Sequence, residues 1–396
     1  FGTYANGGFW GEASGWVLPV IARANRALGQ KLVRDAIATA QRDGSLSEWR
    51  NAKFCCNCEG EATWTAQCMT PYPSTALLSG AARYGRSVFS VFSAAKRLLS
   101  GPSHSNGVDY VFKGSARPAL AHAKTLHAQT SAVMDTKQPA PNIDPDLAWL
   151  TEYATMYQAQ ARECTGCTGC VQPPYVGCFF PPAADPGRPS AYSALWTRDF
   201  EYTMEFLYPL FDEISKQAAL DQTLYILRNR PAGNCSAGCT NDEPMFQTKL
   251  VVNLANYTGN KTLFCDHVDA LWLSLDSVYT SADFKDDLVW TGPATTGYGF
   301  TDSILKSGHH LFDSVLHAQV LGQLATMAED WSCGNPAPMR EVLRRIVTAL
   351  QTGPLLWNED VGMFRPSSGN NANLTDVWGS ALAVDTGVVT GERAAR

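Results

Sequence analysis

Trp196, Arg198, Asp199 and Glu201 lie within six residues at the start of an apolar helical pattern that runs on to Phe206. An indole covers the apolar face of a pyranose, and an arginine beside carboxylates forks onto its hydroxyls, so this cluster suits a sugar-binding mouth. The same spacing also suits a capped helix with a surface ion pair. Four further segments look like loop-to-helix mouths. Tyr4 to Trp16 gathers Asn6, Trp10 and Glu12 around glycines. Tyr298 to Asp302 leads into Lys306, His309 and His310. Trp357 to Phe364 carries Glu359 and Asp360. Asn373 to Ser380 carries Asp376 and Trp378.

Cleaving a glycosidic bond needs two carboxyl groups flanking it, one kept protonated and one activating water or attacking directly. Asp199, Asp302, Glu12 and Asp376 are the catalytic candidates. Trp196, Arg198, Glu201, Asn6, Trp10, Tyr298, Lys306 and Trp378 are the substrate-binding candidates. Each acid has a plainer reading. Asp302 and Asp376 suit helix N-caps, and Glu359 and Asp360 suit a turn. His309 and His310 read first as packing or surface residues.

Hydrophobic residues make up 45% of the 396-residue chain and charged residues 17%, a globular composition. A net charge of −6 argues against a nucleic-acid partner. No apolar run reaches the roughly 18 residues of a membrane span. The 12 cysteines, an even number in Gly/Thr/Pro-rich settings, favour disulfides and an oxidising compartment. Zinc is the rival reading for Cys164, Cys167 and Cys170, whose spacing is ligand-like. Asn234, Asn256, Asn260 and Asn373 open glycosylation sequons, which support secretion. The chain opens on Phe1 and is expected to be a processed or partial product. No cofactor is called for, although Asp283, Asp286 and Asp287 offer loop carboxylates to calcium.

Helical periodicity dominates the elements that must position these groups. Helices are expected over Val17–Gln41, Asp144–Ala161, Asp199–Gln217, Asp221–Arg228, Asp266–Tyr279, His310–Ala328, Pro338–Leu350 and Asp376–Val389. No alternating run suggests a sheet. Residues 86–143 read as a linker or insertion. Paired helices joined by long loops predict an all-α fold, an α/α toroid with disulfide-bearing loops.

Trp196-Thr-Arg-Asp199 resembles the sugar-holding element of the six-hairpin glycosidases, the glucoamylase-like and debranching-like enzymes. Tyr298 to Gly308, Trp357 to Phe364, Asp376 to Ser380 and Asn6 to Trp10 resemble recurring elements of the same superfamily. The resemblance implies that the toroid is of the (α/α)6, six-hairpin type, with sugar binding at Trp196, Arg198 and Asp199. It implies an active-site location for Asp302, Lys306, Asp376, Trp378, Asn6 and Trp10. Against that family the segment order is permuted. Residues 1–85 correspond to the last hairpin and 144–396 to the earlier ones. Circular permutation, tandem repetition and head-to-tail exchange between subunits all fit that order. The expected function is hydrolysis or binding of an oligo- or polysaccharide by a secreted protein, with a filament-forming structural glycoprotein as the alternative.

Overall fold

The structure is a computed structural model, and it describes residues 9–10, 14–43, 49–50, 83–99, 144–162, 183–184, 197–229, 242–295 and 306–396. These residues are mostly helical, in keeping with an all-α class. The closed ring of six hairpins stays an expectation. The chain divides into two compact units, Phe1–Ser105 with Thr125–Tyr225, and Asn106–Lys124 with Ile226–Arg396.

In the first unit, α1 (Ser14–Ala24) and α2 (Arg26–Asp43) replace the single helix expected over Val17–Gln41. Asn25 is the reason. Its Oδ1 accepts the Leu28 N–H at 3.0 Å and caps a new helix. Gly29 then lets the two helices touch, because a Cβ there would sit 2.5 Å from the Ala22 Cβ. Val33, Ile37 and Ala40 form the buried stripe of α2. Next comes α3 (Gly85–Leu99), which packs against α1, α2 and the two helices that follow, and buries Val91, Phe92, Ala95 and Leu98.

The helix α4 (Pro145–Arg162) starts as its Asp-Pro signal predicts, with Asp144 Oδ1 accepting the Asp146 N–H. Arg34 ties α2 to it through 2.6 Å contacts to both Asp144 and Asp146. α5 (Thr197–Leu207) passes into a 3-10 turn at Tyr208–Leu210 before α6 (Glu213–Asn229). The expected break near residue 218 therefore falls earlier. Pro209 offers no N–H to continue the helix, and Asp212 caps the next one through the Ser215 N–H. Two short antiparallel pairs complete the described part of this unit, β1 (Phe9–Trp10) with β2 (Trp49–Arg50) and β3 (Arg83–Tyr84) with β4 (Ala183–Ala184).

The second unit begins with α7 (Glu243–Thr258), α8 (Lys261–Cys265) and α9 (Val268–Tyr279). A three-stranded antiparallel sheet follows, made of β5 (Phe284–Lys285), β6 (Leu288–Thr295) and β7 (Lys306–His309). The sequence reading missed this sheet. Its hairpin tip, Asp286-Asp287, has both residues at positive φ (51° and 63°), a conformation normally signalled by Asn-Gly. Between Thr291 and Thr295, where Gly292 and Pro293 lie, the pairing of β6 with β7 shifts register, which masks any alternation.

α10 (Leu311–Trp331) is the hub of this unit. It is buried almost without interruption to Ala328, and α7, β6 and two later helices pack around it. The first of these, α11 (Pro336–Thr352), lays Met339, Val342, Leu343, Ile346 and Leu350 toward the core. A two-stranded ribbon of β8 (Trp357–Asn358) and β9 (Met363–Phe364) leads to α12 (Val377–Asp385), and the short α13 (Gly391–Ala395) ends the chain. Glu359 and Asp360 lie in the ribbon's exposed turn, as their plainer reading predicts. A disulfide joins Cys265, at the end of α8, to Cys333, just beyond α10. Beside it Phe264 stacks edge-on against Trp331 at 5.5 Å.

Candidate functional site

Among the described residues of the second unit, buried polar groups gather where α10 and α12 begin. His310 enters α10 with its N–H donating to the Val289 carbonyl at 2.8 Å, which fixes the helix to the sheet. Ser314 Oγ accepts the Val289 N–H and donates to the His310 carbonyl, closing the junction. Lys306, His309, His310, Asp313, Ser314 and His317 are all buried here. Asp313 is 1% exposed, and its Oδ1 makes no hydrogen bond to protein. Its Oδ2 lies 3.7 Å from His310 Nδ1. A buried carboxylate oxygen without a donor is costly, and such groups call for an explanation beyond packing.

Asp376 stands next to this cluster. Its Oδ1 accepts the Gly379 N–H at 2.8 Å, so it is the N-cap of α12, and its own N–H donates to the Phe364 carbonyl. Both the plain and the functional readings of Asp376 can hold together, because an N-cap uses one oxygen only. The residue is partly buried overall, yet desolvation of its carboxyl pushes its pKa above the usual carboxylate range. The Gly379 N–H, the Lys306 ammonium and the Trp378 N–H pull the other way, and the negative charge of Asp313 reinforces the rise. Two helix N-termini meet here. A Cβ on Gly379 would sit 2.6 Å from both Leu311 Cδ2 and Asp376 Oδ2, so any side chain there would push Leu311 and the Asp376 carboxyl aside where α12 starts against α10.

A second set surrounds His309. The segment Ser367–Asn370 runs alongside β7. Ser368 donates its N–H to the His309 carbonyl, Gly369 donates to Ser307, and Asn370 donates to Ser307 Oγ. Across this seam Gly308 faces Ser368 and Gly369 faces Ser307. A Cβ on either glycine would fall 2.3 Å from the opposing hydroxyl oxygen. His309 Nδ1 lies 2.9 Å from Ser368 Oγ and Nε2 3.1 Å from Asp286 Oδ2. Burial holds the His309 pKa below the ordinary imidazole value, against the opposing pull of Asp286.

The first unit holds its own buried ionic groups. Arg198 and Glu201 lie three residues apart on α5, 5% and 0% exposed, so neither is the surface ion pair of the plainer reading. Tyr202 on the same helix stacks on Trp16 of α1 at 6.3 Å. Asp199 belongs to α5 and Trp10 to β1, with backbones described and side chains outside the described residues. Trp196, Asn6, Glu12, Tyr298, Asp302 and Asn234 also lie outside them, as do Cys164, Cys167 and Cys170.

Of the predicted site, the structure thus brings together Lys306, Asp376 and Trp378. Sequence reasoning missed Asp313, which reads as an ordinary acid in a first helical turn. It also missed Lys96 on α3, whose amine is pushed down to about 8 by burial. Two of the three loop aspartates have protein partners, since Asp286 engages His309 and Asp287 pairs with Arg345, and among the described residues no group of three or more His, Cys, Asp or Glu is placed to hold a metal. Three sequon asparagines fall on described residues. Asn256 lies on α7, Asn260 caps α8 through the Leu263 N–H, and Asn373 is exposed.

No protein-family model matches the chain, and no curated protein matches it. Among the described residues no helix is long and apolar enough to cross a membrane. Among solved structures the chain is similar to the crystal structure of a GH78 family rhamnosidase of Bacillus sp. GL1. The identity is 15% and the TM-score 0.44, and the match covers 62% of this chain and 25% of that one. The chain therefore spans about a quarter of that neighbour's length.

Proposed function

We propose that the chain hydrolyses a glycosidic bond of an oligo- or polysaccharide, with Asp376 as the proton donor. The observation that carries this reading is the Asp376 carboxyl, held at the mouth of α12 with its proton affinity raised by burial and by Asp313. A glycosidase acid must keep its proton until the leaving oxygen takes it, and burial beside a second carboxylate is one way to arrange that. Asp313 is too deep to touch substrate and acts through Asp376. Lys306 limits the rise and keeps the group able to ionise after transfer. Asp302, four residues before Lys306 in sequence, is the proposed partner carboxylate. The motif resemblance supplies the substrate class. Within the first unit Asp199, Arg198, Trp196 and Glu201, with Asn6 and Trp10, are proposed to hold sugar, and within the second unit Tyr298 and Trp378 are proposed to do so beside Asp376.

The reading is tested by following reducing-sugar release from a panel of oligosaccharides. Asp376→Asn keeps the cap, since an amide oxygen accepts the same Gly379 N–H, and is expected to lower kcat by about 10²- to 10⁴-fold. Asp313→Asn removes a neighbouring negative charge and lowers the Asp376 pKa, so the alkaline limb of the rate profile moves to lower pH. Release unaffected by Asp376→Asn would sink the proposal. Saccharide binding without any release in the wild type would favour the non-catalytic alternative.

A further inference from the structure

The hydrogen-bond chain Ser368–His309–Asp286 is used neither by the proposed hydrolysis nor by the helix junction. Its proton positions follow from the partners. Asp286, 55% exposed at the side chain, faces Nε2 with a carboxyl oxygen that accepts, so Nε2 carries the hydrogen. The neutral ring then leaves the Nδ1 lone pair pointing at Ser368 Oγ, and the serine hydroxyl donates to it. The nitrogens are used in the opposite order from the serine-protease arrangement, but the roles are the same: a nucleophile, a base and a carboxylate that orients the base. Three features hold the set. Ser368 Oγ is anchored by the His309 backbone N–H at 2.8 Å. Gly308 lacks the side chain that would displace that oxygen. Asp286 is held at φ 51°, a conformation uncommon for a residue with a side chain.

We propose that Ser368 is a second, nucleophilic site, activated by His309 and Asp286 and acylated by carboxylic esters with a good leaving group, such as aryl or enol esters. The leaving-group limit comes from the surroundings. The Gly369 and Asn370 N–H groups both donate to Ser307, so neither serves a developing oxyanion, and the chemistry rests on base activation. Ser368 Oγ adds to the ester carbonyl carbon as its proton passes to His309 Nδ1. The Asp286 carboxylate holds the imidazolium by its other nitrogen. The imidazolium returns the proton to the departing oxygen as that C–O bond breaks, leaving an acyl-serine. Water then adds to the acyl carbon, giving one proton to His309. The serine oxygen leaves and takes that proton back, and the carboxylic acid is released.

The test is p-nitrophenyl acetate on the full chain, read by p-nitrophenol release and by mass analysis of the peptide that contains Ser368. An acetyl group on Ser368 is expected, with acylation reduced about tenfold or more in His309→Gln and lost in Ser368→Ala. The wild type adds a check that needs no variant. Acylation should fall on acidification with a midpoint below the ordinary imidazole pKa, set among the groups that face the ring, namely Asp286, Lys285 and His310. In Asp286→Asn that midpoint should drop further. Acetyl found only on other residues, or acylation of Ser368 that ignores both pH and His309→Gln, would overturn the assignment. Neither result bears on the oligosaccharide assay of Asp376.

Discussion

Tyr279 and His317 share a 2.6 Å hydrogen bond from the phenol of α9 to Nδ1 of a ring buried in α10. Desolvation pushes the phenol well above its ordinary pKa, so it is the donor, and it drops the imidazole to about 4. The unfolded chain protonates this histidine near 6.5 and the folded chain only near 4. Between those values the unfolded state binds the extra proton. Stability should therefore fall as pH drops from about 6.5 to about 4, by on the order of 3 kcal/mol, and this share of the loss should level off below that. Urea unfolding at pH 7 and pH 5 checks it, with His317→Gln expected to blunt the difference. Tyr279→Phe should cost about 1–3 kcal/mol at pH 7, because Nδ1 is left buried without a donor.

Gly379→Ala should be disproportionately harmful for one methyl group. The new carbon meets Leu311 and the Asp376 carboxyl together. A stability loss of about 1–3 kcal/mol is expected, with saccharide hydrolysis falling further than stability explains. Pairing it with Leu311→Ala should recover part of the stability. A double-mutant cycle in guanidinium that returns no coupling would show that the two helix starts do not compete for that space.

The Cys265–Cys333 bridge closes a span of 68 residues. Loop-closure entropy for such a span is worth about 4 kcal/mol in the unfolded state. The double substitution Cys265→Ser/Cys333→Ser should lower the unfolding midpoint accordingly. Wild type under dithiothreitol should shift in the same direction.

Lys96 should be replaceable at a gain. Its amine titrates near 8 rather than 10.5 because burial disfavours the charge. The folded state thus binds fewer protons than the unfolded one between those values, so stability should rise as pH climbs through that window. Lys96→Met should add about 1–2 kcal/mol at pH 7, an allowance that includes residual solvent screening, and should flatten the alkaline rise. Thermal melts from pH 7 to pH 10 measure both.

Much of the helical frame is legible because its punctuation is local. Asp144-Pro145 announces a helix start, and the apolar stripe of α11 repeats at helical spacing. Helix breaks are less legible where the signal is a single side chain choosing to cap, as Asn25 and Asp212 do. The sheet is hidden by its aspartate turn and by the register shift near Pro293. The candidate site is legible only in part, through Lys306, Asp376 and Trp378 at a loop-to-helix start. Asp313 and His317 sit on a helix buried on every side, where periodicity has no polar face to contrast. Lys96 is one of two basic residues closing α3, and nothing in its sequence neighbours foretells desolvation.

The hairpin tip at Asp286-Asp287 has a wider consequence. Asparagine and glycine would adopt those backbone angles with less cost, and the strands would close just as well. Each aspartate instead reaches a different element, one the His309 ring and the other the Arg345 guanidinium. Under selection for heat resistance alone, this corner is a place where variants should drift toward Asn-Gly. Lineages kept under selection for chemistry at Ser368 should refuse the first of those exchanges while tolerating the second, so the pattern of drift at two adjacent positions separates the demands of folding from those of reactivity.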